Sequence, residues 1–167
     1  RNKAYTLINV FGLSLSLMFV ILISIYVKQE LSVDQFQENA EQIYLLGDED
    51  GVGTAYRLAY RIKDRYPEIE KVCPLVPTWK KRPVSISDVK FNADYMFVDT
   101  TFFDMFSFPL VEGTNESVLQ SRNSVVISET FARKAFPGVD PIGKMIFMSD
   151  SVIVLIDGVM KDIKSST

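Results

Sequence analysis

The sequence contains no histidine and only one cysteine, Cys73, among its 167 residues. The missing histidine excludes Ser-His-Asp and Cys-His catalysis, and a lone cysteine forms neither an internal disulfide nor a cysteine zinc site. A basic excess is also missing, because 18 basic residues stand against 21 acidic ones, and this argues against non-specific nucleic-acid binding. We identify no catalytic, cofactor-binding or metal-binding residue, and any chemistry would have to use carboxylates, lysines and hydroxyls.

What the sequence does have is one long stretch without charge, the 23 residues from Tyr5 to Val27. As a helix it would extend about 34 Å, enough to cross a hydrocarbon core of roughly 30 Å. Tyr5 and Tyr26 lie near its two ends, where aromatic rings favour the membrane interface. A buried core helix and a cleavable signal peptide are the alternatives. The run is longer than a signal core, and no A-x-A-like site follows it, so we predict a retained membrane helix ending near Leu31.

Charge is distributed unevenly around this span. Arg1 and Lys3 precede it, whereas all 21 acidic residues follow it and give the part from Lys28 onward a net charge of -5. The positive-inside bias then predicts a cytoplasmic N-terminus and a main domain outside the inner membrane.

The remaining sequence predicts a mixed domain. Ser32-Val-Asp-Gln35 has the form of a capping box and predicts a short helix to about Ala40. Helical periodicity and stop signals predict further helices over Gly53–Tyr66, opening at Thr54, and over Ser128–Phe136, with a Thr101 cap before a third. Runs rich in β-branched and aromatic residues predict strands at Gln42–Leu46, Ile69–Pro77, Val84–Ser87, Val89–Val98, Asn123–Ile127, Lys144–Met148 and Val152–Val159. We therefore expect an α+β fold with mixed, mostly antiparallel strands and about three short helices, preceded by one transmembrane helix.

Two motifs resemble ligand-binding loops. Gly138-Val-Asp-Pro-Ile-Gly143-Lys144 matches the first seven positions of a phosphate-binding loop, but Met145 replaces the required Ser or Thr. Asp140 and Pro141 also disfavour phosphate binding, so we predict a helix-to-strand turn. Asp48 and Asp50 resemble the start of a calcium loop, yet no bidentate Glu follows, and a solvated turn is the better interpretation.

Two aromatic features remain. Trp79 precedes Lys80, Lys81 and Arg82, a cluster typical of a solvated hairpin tip, with contact to a partner protein or anionic lipid as the alternative. The segment from Phe102 to Leu110 carries four phenylalanines, and the helical spacing of Phe102 and Phe106 predicts core packing rather than an exposed docking patch. We interpret Cys73 as a buried apolar thiol.

Several stretches, in order, resemble a known family. Arg1-Asn-Lys3 with INVFGLSLSLMFVILISIYV and QELSVDQFQENAEQIYLL is similar to the first transmembrane helix and stalk of MacB/FtsX-type ABC transporter permeases. FVDTTFFDMFSFPLVEGT, NSVVISETFARKAFPGVDPIGK and VIVLIDGVMKDI resemble the MacB-like periplasmic core domain. The resemblance covers essentially the whole chain and implies a transmembrane segment over residues 1–31, a core domain over 32–167, and later transmembrane helices outside this sequence.

The resemblance also implies a function. Such permeases work as dimers with a cytoplasmic ABC ATPase in the bacterial inner membrane, some with a periplasmic adaptor or outer-membrane component. ATP hydrolysis in the cytoplasm is transmitted to the periplasmic domain, in a mechanical coupling called mechanotransmission, for export or extraction of a substrate. From the break near Ser32 and Gln35 we expect residues 28–46 to couple the membrane helix to the domain. The resemblance implies a permease part without catalysis of its own.

Two other classes remain open. One is the extracytoplasmic sensor domain of a membrane-anchored signalling receptor, which predicts a second span leading to a kinase or cyclase. The other is a membrane-anchored hydrolase using paired carboxylates, for which no pair stands out in the sequence.

Overall fold

A computed structural model describes residues 3–32, 37–48, 51–53, 55–149 and 152–163. They fall into two units, the first holding the N-terminal helix and the second comprising Gln37–Ile163. Helix α1, Lys3–Ser32, is 30 residues long. By length and composition its segment Lys3–Glu30 can cross a membrane, with a mean hydropathy of 2.5 and no buried residue in its apolar stretch. The predicted long apolar helix is therefore confirmed.

Three serines of α1 donate hydrogen bonds within the helix itself. Ser14, Ser16 and Ser24 each donate their hydroxyl to the carbonyl four residues earlier, at 2.8, 2.9 and 2.7 Å. These polar side chains are thus partnered inside the helix.

The second unit alternates short helices with strands. A 3-10 helix spans Ala40–Gln42, and helices α2, α3 and α4 span Tyr56–Arg65, Phe102–Met105 and Glu129–Ala135. The strands are β1 (Gly47–Asp48), β2 (Gly51–Val52), β3 (Val76–Pro77), β4 (Arg82–Ile86), β5 (Val89–Ala93), β6 (Met96–Phe97), β7 (Leu110–Glu112), β8 (Ser124–Ser128), β9 (Met145–Ser149) and β10 (Val152–Met160).

Six of these strands form the main sheet. Its order is β5-β4-β9-β10-β7, and β8 pairs with β10 in addition. Only the β8–β10 pairing is parallel within this sheet, with Leu155 opposite Ser124 and Met160 opposite Ser128. The strands β1–β2 and β3–β6 form two small antiparallel pairs. The α+β class with mostly antiparallel strands is therefore confirmed.

Two groups of buried side chains stabilise the second unit. The first lies between the sheet and α4 and consists of Val84, Ile127, Ile146, Val154, Ile156 and Val159. Val154 and Ile156 alternate along β10 because successive strand residues point to opposite faces, and Val159 is buried beyond the register shift between Ile156 and Gly158. The second consists of Phe102, Phe103 and Val118. The prediction that the aromatic segment packs in the core is confirmed.

The best-predicted helix of this unit is α4. Ser128 caps its start, since its hydroxyl oxygen accepts a hydrogen bond from the amide of Phe131 at 3.2 Å. Pro137 and Gly138 follow its end, and Gly138 has the positive φ of 72° that favours glycine in a turn.

Some predicted elements are wrong. No strand forms over Gln42–Leu46, because Gln42 ends the 3-10 helix and the next four residues pair with no described strand. Tyr44 and Leu45 are 86% and 73% exposed, so their strand-forming side chains have nothing to pack against. Of the strand predicted over Ile69–Pro77, only Val76–Pro77 forms.

The predicted caps also differ from the observed ones. Thr101 precedes α3 but does not cap it, and its hydroxyl donates instead to the carbonyl of Val72 at 2.8 Å. Thr54 lies outside the described residues, and Ala55 occupies the N-cap of α2. The capping partner Gln35 also lies outside them, as do residues 33–36 of the predicted short helix, and residues 37–39 are not helical.

Candidate functional site

Four phenylalanines, which we call the aromatic cluster, form the centre of the second buried group. They are Phe102, Phe103, Phe106 and Phe108. The ring of Phe102 contacts the other three, with centroid separations of 5.1, 5.1 and 5.3 Å. Edge-to-face and offset rings at these distances attract each other beyond simple burial. The short helix α3 supplies the first two rings, and the extended chain after it returns the other two to the same place.

The first residues of the second unit are hydrogen-bonded to this cluster. The backbone amide of Glu38 donates to the hydroxyl of Ser107 at 3.2 Å. The backbone amide of Ser107 in turn donates to the side-chain oxygen of Gln37 at 2.8 Å. Ser107 lies between Phe106 and Phe108 in the chain. Gln37 and Glu38, at the start of the second unit, are therefore hydrogen-bonded to the residue that lies between two rings of the aromatic cluster.

The same segment continues into the main sheet. The carbonyl of Pro109 accepts a hydrogen bond from the amide of Lys161 at 2.9 Å. Leu110, at the start of β7, pairs with Met160 at the end of β10. Gln37 is thus connected to β10 in two steps. Its side chain accepts from Ser107, and Pro109, two residues further on, accepts from Lys161, which follows β10. Strand β10 has the most pairing partners in the sheet.

Val118 packs where the sheet meets the aromatic cluster and is only 1% exposed. A Cβ atom placed on Gly158 of β10 would come within 2.7 Å of its Cγ1 atom. A Cβ on Gly113 would lie equally close to the same atom. Glycine is therefore needed at both positions for the close approach of the two buried groups.

Cys73 is half-buried and packs against the aromatic cluster. Burial raises the pKa of its thiol, because the charged thiolate is less well solvated there. A thiol with a raised pKa is a poor nucleophile at neutral pH. This agrees with the interpretation of Cys73 as a packing residue.

Tyr60 connects helix α2 to Asp99, which lies shortly before the aromatic cluster in the chain. The phenol of Tyr60 donates to the carboxylate of Asp99 at 2.5 Å, and this hydrogen bond raises the pKa of Tyr60. Asp99 also accepts from the amide of Thr100 at 2.6 Å. A phenol held in its protonated form by a carboxylate serves as a structural donor.

The cluster of Trp79, Lys80, Lys81 and Arg82, which we call the tip, joins β3 to β4. Trp79 is 91% exposed, and the three basic side chains are exposed as well. Lys81 lies 3.8 Å from the carboxylate of Asp94. Contact of the tip with a partner protein or anionic lipid stays a prediction.

The loop that resembles a phosphate-binding motif is a turn between α4 and β9. The amide of Gly143 donates to the carbonyl of Ile156 at 2.8 Å, and that of Lys144 donates to the carbonyl of Pro141 at 3.1 Å. The carboxylate of Asp140 accepts from the amide of Ile142 at 2.8 Å. Since these amides are occupied, they cannot cradle a phosphate, and the predicted turn is confirmed.

The remaining predicted features do not form a site among the described residues. Ser32 is the last residue of α1, and Gln35 lies outside the described residues. Asp50 of the calcium-like pair is also outside them. Across the described ranges, no group of three or more His, Cys, Asp or Glu side chains could hold a metal ion. The pairing of Gln37 with Ser107 gave no signal in the sequence, since the two residues are 70 positions apart.

An α+β domain that follows an apolar helix of membrane-spanning length is the organisation of a membrane-anchored protein with an extracytoplasmic domain. Residues 6–167 match the family described as the MacB-like periplasmic core domain. The chain belongs to this family. It is accordingly a periplasmic domain of the kind found in MacB-like ABC transporter permeases.

Two solved structures share the fold, with TM-scores above 0.5, and a third is less similar. The periplasmic region of MacB from Actinobacillus actinomycetemcomitans matches with a TM-score of 0.56 and 18% identity, over 77% of this chain and 66% of that one. A domain assigned to a permease protein of Porphyromonas gingivalis matches with a TM-score of 0.54 and 23% identity, over 65% of this chain and 50% of that one. The extracellular domain of the ABC-type transporter YknZ from Gram-positive bacteria has a TM-score of 0.46 and 18% identity, over 56% and 50%. The matches thus span half to two thirds of the relatives' chains. No curated protein matches the sequence.

Proposed function

We propose that this chain is the first transmembrane helix and periplasmic core domain of an ABC transporter permease that carries mechanical work to its substrate. In this proposal residues 1–31 form the span and residues 32–167 the core domain. The N-terminus lies in the cytoplasm and the domain in the periplasm. Arg1 and Lys3 before the span, and the acidic residues after it, support that orientation.

The partners follow from the family. They are a cytoplasmic ABC ATPase that hydrolyses ATP, a second copy of the permease, and a periplasmic adaptor or outer-membrane component at the far end of the domain. The work is export or extraction of a substrate. The domain itself transmits movement and performs no catalysis.

The proposal rests on the two hydrogen bonds that connect Gln37 and Glu38 to Ser107. A movement of the span reaches the second unit first through these residues. Their two hydrogen bonds lead to the aromatic cluster, whose tight packing transmits strain to the residues around it. From there Pro109 and Leu110 continue into the main sheet. Residues 28–46, including Ser32 and Gln35, form the coupling segment in this proposal.

Insertion of two glycines after Ser32 in the full-length transporter tests the coupling. We expect ATP hydrolysis to persist while transport is lost, because a flexible joint does not transmit displacement. Cys73 provides a readout that needs no known substrate, since its thiol packs against the aromatic cluster. Its rate of alkylation, located by mass spectrometry, should differ between nucleotide-free and ATP-bound wild type, and should not differ in the insertion variant.

A control insertion separates coupling from general damage. The same two glycines placed between Ser87 and Asp88, in the exposed turn of the β4–β5 hairpin, should leave the nucleotide response of Cys73 unchanged. A persistent nucleotide response in the Ser32 insertion variant would contradict the proposal.

Side-chain variants test the hydrogen bonds between Ser107 and residues 37 and 38 one step more specifically. Q37A/S107A removes two acceptors of hydrogen bonds worth about 0.5–1.5 kcal/mol each, and it should weaken the nucleotide response of Cys73. S117A is the matched control, because that serine also accepts a backbone hydrogen bond, from Thr114 at 3.0 Å, but lies in a separate turn. If both variants changed the nucleotide response of Cys73 equally, the hydrogen bonds to Ser107 would have no special role in coupling.

A further inference from the structure

The tip presents an aromatic ring to solvent in a way that core packing does not explain. Trp79 is 91% exposed, although tryptophan is on average a well-buried residue. Val76, Met96 and Phe97 of the neighbouring β3–β6 pair are exposed too. An apolar surface therefore adjoins the three cations Lys80, Lys81 and Arg82.

The backbone beneath Trp79 is firmly held. The amide of Thr78 donates to the carbonyl of Tyr95 at 3.1 Å, and its hydroxyl donates to the same oxygen at 2.6 Å. The amide of Tyr95 donates back to the Thr78 hydroxyl at 3.3 Å. On the other side, Arg82 starts β4 and pairs with Ala93. Both ends of the tip are thus held by backbone pairing to the neighbouring strands.

The charge of the tip indicates what kind of partner it contacts. The chain from Lys28 onward has a net charge of -5, yet the tip gathers three cations, of which only Lys81 has an ion pair among the described residues. An exposed indole beside several cations suits the interface of an anionic bilayer, where indole rings lie at headgroup level and basic side chains meet lipid phosphates. Such docking needs no complementary surface. A protein hot spot, by contrast, needs the tryptophan to be surrounded by tight packing.

We propose that the tip docks on the anionic phospholipid surface of the membrane that α1 spans. Only residues 33–36 separate Ser32 from the second unit at Gln37, and this interval reaches at most about 18 Å. This short tether keeps the start of the second unit near the bilayer and so raises the effective concentration of lipid headgroups around the unit. The inference goes beyond the coupling role and depends only on α1 being inserted in the membrane.

Trp79 is the only tryptophan of the chain, so its fluorescence reports on the tip alone. The complete chain is reconstituted into vesicles of phosphatidylcholine, with or without phosphatidylglycerol, and excited where tyrosine does not absorb. With phosphatidylglycerol we expect emission at shorter wavelength, quenching by brominated acyl chains and protection from acrylamide. High salt should reverse all three, because it shortens the screening length to about 3 Å at 1 M.

The variant K80Q/K81Q/R82Q removes the charge and keeps the probe. Each cation near an anionic surface strengthens binding by a factor of about five, so the docking equilibrium should fall by about a hundredfold. The matched control R57Q/R61Q/K63Q removes three exposed cations from α2 and should keep the lipid response. Amide exchange of β4 checks that both variants remain folded.

Three results would overturn the proposal. One is an identical Trp79 spectrum in both kinds of vesicle. The second is an equal loss in both triple variants, which indicates general charge attraction. The third is a response that needs an added acidic protein and not the lipid. Vesicle flotation reports insertion of α1 separately, so failure of the span and failure of the tip are distinguishable.

Discussion

Replacing Gly158 by alanine should strongly destabilise the second unit. The added Cβ would lie 2.7 Å from Cγ1 of Val118 and 3.2 Å from Cγ2 of Val126. Carbon atoms pack best at about 3.5–4.0 Å, so the first contact is roughly 1 Å too short. Val118 is 1% exposed, and Gly113 holds the same methyl group from another direction, so the side chain has no space to move. Overpacking of this kind costs about 1–3 kcal/mol, and we expect the upper end.

A second substitution should partly relieve the clash. V118A alone removes two buried carbons and should cost about 2 kcal/mol. In G158A/V118A the new methyl group occupies space that the valine has left. The double variant should therefore be more stable than the sum of the single effects by about 2 kcal/mol, a coupling that is typical of residues in contact.

Amide hydrogen exchange of residues 152–160 in the full chain measures these changes. A loss of about 3 kcal/mol corresponds to exchange faster by roughly a hundredfold. G138A is the control, because Gly138 has open space around its Cβ position and a φ of 72°. It should show only the backbone strain of about 1–2 kcal/mol. Strictly additive effects of G158A and V118A would refute the proposed clash.

Two further predictions concern titration. The hydrogen bonds from Thr130 lower the pKa of Asp162, with a smaller contribution from Arg133. The stabilisation relative to D162N should therefore be complete above the ordinary carboxyl pKa and should decline as pH falls through the lowered one, which acid unfolding of both proteins measures. Burial raises the pKa of Cys73, so its alkylation rate should reach half-maximum at a higher pH than that of a peptide thiol, and an equal or lower midpoint would contradict the burial.

The sequence predicts those elements whose determinants lie close together in the chain. Helix α1 follows from an uncharged run, and the end of α4 from the stop signal of Pro137 and Gly138. Strands β8, β9 and β10 are predicted to within one residue at each end, because runs rich in β-branched and aromatic residues mark them. The helix-to-strand turn was predicted for the right reason as well, since Met145 and Pro141 break the phosphate-binding pattern.

Elements that depend on distant pairing could not be predicted. Strand β7 has only three residues between Pro109 and Gly113, and it is a strand because Leu110 and Glu112 pair with β10. The segment Gln42–Leu46 has strand-forming residues but lacks a described partner. In the candidate site, the basic and aromatic members of the tip were identified, whereas Ser107 was not. Its role comes from a contact across 70 residues, which local patterns do not encode.

The serines of α1 have a consequence for how this helix recognises other helices. Since Ser14, Ser16 and Ser24 donate to their own backbone, their hydroxyl hydrogens are not offered to neighbours. Association through these positions then relies on small side chains that allow close backbone approach. Such contacts have little directionality. At these three positions the helix can rotate or slide against a neighbour without breaking a serine hydrogen bond between them.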